Sequence, residues 1–224
     1  AYSRNAKGIY PPLVILGYTS GLSIIWAAYS NSTAFMLVII TLNFLLCSFF
    51  LLPRYKTDPA IVHAFAMQIQ GMVYIPVLIT CLIRIRNTDA GILWIFLLLA
   101  VVFAGDIGAY YAGSYLGRHK LCPSVSPNKT VEGSIGGLCA NLLIGAIIKA
   151  MFLPSLPWAA CMVMFLLIGA AGQIGDLYES ALKRSVQIKD SGTLLPGHGG
   201  MLDRIDALLF ASPVALIFKE YILC

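Results

Sequence analysis

The chain has 224 residues, of which 59% are hydrophobic and only 11% charged, and its mean hydropathy is +0.84. A soluble domain carries roughly 25% charged and about 45–50% apolar residues, and the excess here would leave an aggregating surface in water. Soluble, disordered, collagen-like and disulfide-scaffold classes are therefore excluded, and the small net charge of +5 is no nucleic-acid footprint.

A bilayer-spanning helix needs about 20 apolar residues, and seven stretches qualify, at about 11–29, 34–52, 60–83, 91–112, 133–153, 158–175 and 206–222. None alternates with the period of a barrel strand, so the expected fold is all-α, a polytopic helical membrane protein. Pro53, Pro154 and Pro157 fall between stretches, whereas Pro76 and Pro213 fall inside them and predict kinks. The third stretch carries His63, Gln68 and Gln70 in its first half, which leaves an interfacial or re-entrant segment open there. One membrane domain over 1–224 is expected, with N-terminal spans in 1–90 and the richer polar chemistry in 91–224. The chain begins at Ala1 without a cleavable signal pattern, which reads as a fragment with something missing upstream.

With the N-terminus cytoplasmic, the inner face receives eleven basic residues: Arg4, Lys7, Arg54, Lys56, Arg118, Lys120, Lys129, Lys183, Arg184, Lys189 and Arg204. The outer face receives four, Arg84, Arg86, Lys149 and Lys219. That is the direction of the positive-inside rule. The six cysteines are scattered and form no C-x-x-C pair, so neither a zinc site nor a thiol redox motif is expected.

Two inner-face segments are more polar than anchoring requires, Asp106 to Glu132 and Asp176 to Asp206. Carboxylates near a bilayer are expensive and are retained where a counter-ion, water or metal compensates them. Asp203 and Asp206 are three apart, on one helix face and near its positive dipole end, so a charged cap is the plain alternative. Lys183, Arg184 and Lys189 alternate with the acids, and Asp190 leads into Pro196-Gly197-His198-Gly199-Gly200, whose backbone amides can approach an anion. Hard oxygen ligands beside cations suit a magnesium-bound polyphosphate. In the first segment, Asp106 lies late in an apolar helix, and Lys129, Thr130 and Glu132 follow in a polar turn. Neither a Walker loop nor a Rossmann fingerprint is present.

The run from Ser180 through Lys183-Arg184, Lys189-Asp190, Pro196, His198-Gly199-Gly200 and Asp203-Arg204-Ile205-Asp206 resembles the signature of the phosphatidate cytidylyltransferases, the CDP-diacylglycerol synthases. The upstream residues Asp106, Gly108, Tyr110, Gly117-Arg118-His119-Lys120 and Ser126 to Gly133 are similar to that family too. The resemblance covers the C-terminal half well and the N-terminal half in hydropathy alone; family members often carry further N-terminal spans. It implies transfer of the cytidylyl group of CTP to phosphatidic acid, with a divalent cation required. On that resemblance Asp176 and Asp203 are the expected magnesium ligands, and Asp206 is a ligand or its neighbour. Lys183, Arg184, Lys189 and Arg204 are expected to bind phosphate, with His198, Gly199 and Gly200 shaping the triphosphate loop beside Asp190. Asp106, Lys129, Thr130 and Glu132 form the opposite wall, and the number of acids leaves room for a second cation. The expected setting is a bacterial inner membrane with the site facing the cytoplasm; a homodimer is the expected assembly. A cation transporter, a membrane scaffold and a CTP-dependent polyprenol or phytol kinase remain the alternatives.

Overall fold

The computed structural model describes residues 10–188, 191–192 and 200–223. Contacts divide the chain into two compact units, residues 1–87 and 88–224.

The first unit contains α1 (Pro11–Tyr29), α2 (Thr33–Leu51), α3 (Ala60–Met72) and α4 (Leu78–Asn87). The helix α2 is inside-out: its buried residues are Asn43 and Cys47, while Phe35, Leu37, Val38, Leu42, Phe44, Leu45 and Phe49 are exposed. Water would reverse that pattern; lipid tails, as apolar as leucine, permit it, and buried polar groups then join the helices. Asn43 Nδ2 donates to Ser20 Oγ at 2.7 Å, and Gln68 Nε2 donates to Asn43 Oδ1 at 3.2 Å, linking α2 to α1 and α3.

Pro76 lies in a π-helical turn, Val73–Val77, between α3 and α4. One wide turn accommodates the missing N–H and the ring, so the helix runs on from Ala60 to Asn87. The third stretch is therefore one continuous helix and not a re-entrant segment, and Gln68 is spent on Asn43.

The second unit contains α5 (Gly91–Leu116), a hairpin of β1 (Lys120–Cys122) and β2 (Ser126–Thr130), α6 (Val131–Phe152), α7 (Trp158–Ser185) and α8 (Leu202–Ile217), which continues as a π-helical turn, Phe218–Ile222. The hairpin is antiparallel, with Lys120 opposite Thr130. Among the described residues, six helices are long and apolar enough to cross a membrane, ending with Trp158–Ser185. The seventh apolar stretch is helical too, but carries Asp203, Arg204 and Asp206 at one end and Lys219 and Glu220 at the other. The chain is an integral membrane protein.

Small residues let α5 and α6 approach closely, as membrane helices do without a hydrophobic drive between them. A Cβ on Gly137 would stand 2.9 Å from the Gly105 carbonyl of α5 and 3.1 Å from Gln173 Nε2 of α7. Gln173 Nε2 itself donates to the Ser134 carbonyl at 2.9 Å, and the Ser134 hydroxyl bonds the Gln173 amide oxygen, so α6 and α7 are pinned one turn from Asp176. On the other face of α7, a Cβ on Gly175 would stand 2.7 Å from the Asp206 carbonyl, which sets the α7–α8 approach.

Gly137→Val is expected to destabilise the protein by about 1–3 kcal/mol through overpacking, read as a lower unfolding midpoint in detergent. Gly71→Ala, where an added Cβ meets nothing within 4 Å, serves as the control and should lose no stability. Equal midpoints for Gly137→Val and wild type would show that the α5–α6 contact yields.

Candidate active site

The polar end of the second unit is assembled from four elements. The helix α7 outlasts its apolar stretch and ends at Ser185, not near 175. Hydropathy stops there but helical pairing does not: Glu179 and Lys183 form an i,i+4 ion pair, and Lys183 and Arg184 sit in the last turn, where the dipole favours cations. Asp176, Glu179 and Lys183 thereby share one face of α7.

Lys183 Nζ lies between two carboxylates, paired with Glu179 on its own helix and with Asp203 Oδ1 of α8 at 2.7 Å. Asp203 collects further donors: Oδ2 accepts from Gly200 N–H at 2.7 Å, Ser191 Oγ at 2.8 Å and Ser191 N–H at 3.0 Å. Burial pushes the Asp203 carboxyl up, but the Lys183 ammonium and the Gly200 and Ser191 N–H groups outweigh it and hold the group well below the usual carboxylate range. Asp203 thus ties both described ends of the glycine-rich loop to the start of α8.

Lys129, on β2, makes an ion pair with Asp176. Asp106, Asp176 and Asp206 lie within electrostatic range of one another, with Lys129 and Lys183 as the nearby cations. Among the described residues, no group of three or more His, Cys, Asp or Glu side chains forms a ready-made metal cage.

The remaining expected residues take distinct places. Thr130 caps α6, its hydroxyl accepting from Gly133 N–H at 3.1 Å. Glu132 turns to the residues that lead from α5 into β1, where Oε2 accepts from Arg118 N–H at 3.0 Å and His119 N–H at 3.2 Å, and Oε1 lies 2.6 Å from His119 Nδ1. Arg184 and Arg204 are exposed. Lys189, Asp190, His198 and Gly199 lie outside the described residues. Sequence reasoning missed Glu179, although its spacing from Asp176 and Lys183 on a continuing helix was the available signal. It missed Ser191 as well, whose short polar side chain in a loop carried no comparable signal.

The model of the "Cytidylyltransferase family" matches residues 3–222. The chain belongs to the cytidylyltransferase family. It is 44% identical over 142 residues to a phosphatidate cytidylyltransferase of Bacillus subtilis, covering 63% of this chain and 53% of that protein. It is 44% identical over 139 residues to a phosphatidate cytidylyltransferase of a Synechocystis species, covering 62% and 47% respectively. It is also 44% identical over 135 residues to an uncharacterized Escherichia coli protein, YnbB, covering 60% and 45%. The chain spans about half the length of the curated relatives it matches.

Glu132→Ala removes the acceptor that gathers the Arg118 and His119 amides. Hydrogen exchange at those two amides is expected to accelerate while α7 amides keep their protection. Unchanged exchange at residues 118 and 119 would show that the segment leading into β1 is held by other contacts.

Proposed function

We propose that the protein transfers the cytidylyl group of CTP to phosphatidic acid, giving CDP-diacylglycerol and pyrophosphate at the cytoplasmic surface of a bacterial inner membrane. The observation that carries this reading is that Asp176 and Asp203 each hold a lysine ammonium, Lys129 and Lys183. Two carboxylates that attract cations, beside two cations able to take phosphate, form a donor set suited to a metal–triphosphate.

In the reaction a phosphate oxygen of the lipid forms a bond to the α-phosphorus of CTP, and the bond from that phosphorus to the bridging oxygen of the β-phosphate breaks. Pyrophosphate carries away the electron pair. Such transfers need positioning and charge neutralisation more than a protein nucleophile. Lys183 and Lys129 supply ammonium donors to the phosphates, and Asp203 keeps Ser191 and Gly200 in place at the loop ends.

The hard carboxylate oxygens of Asp176 and Asp203 fit magnesium, with Asp206 and Asp106 near enough to add to the local negative potential. Bound there, magnesium would neutralise charge on the phosphates. The lipid substrate keeps its chains in the bilayer and its phosphate at the surface, so a site at the polar ends of spanning helices meets both substrates.

Labelled CTP, phosphatidic acid and magnesium incubated with the purified protein should yield a lipid-extractable CDP product. Asp203→Asn and Lys183→Ala should each lower turnover on the order of 100-fold. Transfer of a single phosphoryl group to a lipid alcohol would replace this reading with a CTP-dependent kinase, and no CTP consumption would remove it.

A further inference from the structure

We infer that Glu179 is a positioning residue, whose buried carboxylate fixes the Lys183 ammonium for phosphate binding; this rests on the reading of Lys183 as a phosphate ligand. Glu179 is 1% exposed. Among the described residues its charge is compensated by the ion pair with Lys183, the Asp203 carboxyl lies beside it, and neither Glu179 oxygen has a hydrogen-bond partner of ordinary geometry. A buried ion pair stabilises a fold less well than apolar packing of the same volume. The arrangement makes better sense as a device that holds a charge in one place.

The geometry supplies that device. Lys183 lies on a flexible four-carbon stem, and its ammonium offers three donors. Asp203 on α8 takes one of them as a hydrogen bond, and Glu179 on the same helix holds the ammonium as an ion pair. Asp203 has four donor groups of its own, counting Lys183, and can release one without being stranded. Glu179 cannot: losing Lys183 would leave a buried, uncompensated carboxylate. Glu179 therefore retains the ammonium when Asp203 exchanges it for another cation, and the stem cannot swing away from the phosphates.

The test is a double-mutant cycle on the full chain in detergent with phospholipid, reading CTP affinity by calorimetry and turnover with labelled CTP. Glu179→Gln should weaken CTP binding about tenfold and lower turnover on the order of 100-fold. In the Lys183→Ala background the same substitution should bring no further loss of either, because its effect runs through Lys183 and it removes a carboxylate left without its cation. A purely structural role would lower both quantities by the same factor in both backgrounds, and that outcome overturns the inference, as does wild-type behaviour of Glu179→Gln. Should Glu179→Gln not accumulate as folded protein, Glu179→Asp, with the charge on a shorter stem, takes its place in the cycle. A wild-type protein that binds CTP but makes no CDP-lipid would defeat the proposed reaction, while the coupling in CTP affinity would still decide the role of Glu179.

Discussion

The ammonium of Lys183, held between Glu179 and Asp203, joins the end of one long helix to the start of the next. The start of α8 and the described ends of the glycine-rich loop lean on that join. Through Asp203 it reaches Ser191 and Gly200, the described ends of the glycine-rich loop. Through α7 it shares a face with Asp176, which takes its own ammonium from Lys129 of the hairpin. Charges near a bilayer are tolerated when each has a partner, and here Asp176 and Asp203 draw theirs from other elements.

Helix packing makes these pairings geometrically possible. The Gly105–Gly137 approach brings α5 against α6, and Gly175 brings α7 against the Asp206 backbone. Side chains at helix ends then converge without long loops to carry them. Gln173 and Ser134 lock the α6–α7 register one turn from Asp176, so a substitution there would be felt at the site through the backbone.

Hydropathy made the long helices legible, because about 20 consecutive apolar residues have few other uses. It misjudged where α7 ends, since a helix held by a Glu179–Lys183 pair and a basic last turn needs no apolar residues to continue. The hairpin was illegible: strands of three and five residues, one containing Pro127, show no usable alternation. Asp176, Lys183 and Asp203 stood out by charge in an apolar chain, but their partners are contacts across the fold. Lys129 and Asp176 are separated by the whole of α6 and most of α7, and nothing local to either announces the pair.

The central claim is that Asp176 and Asp203 are cation-binding carboxylates that lysines occupy in this structure. Manganese, a paramagnetic substitute for magnesium, reports on it directly through electron paramagnetic resonance of the full chain with CTP. The account predicts a protein-bound manganese signal that is lost in both Asp176→Asn and Asp203→Asn. An undiminished signal in either variant would contradict it.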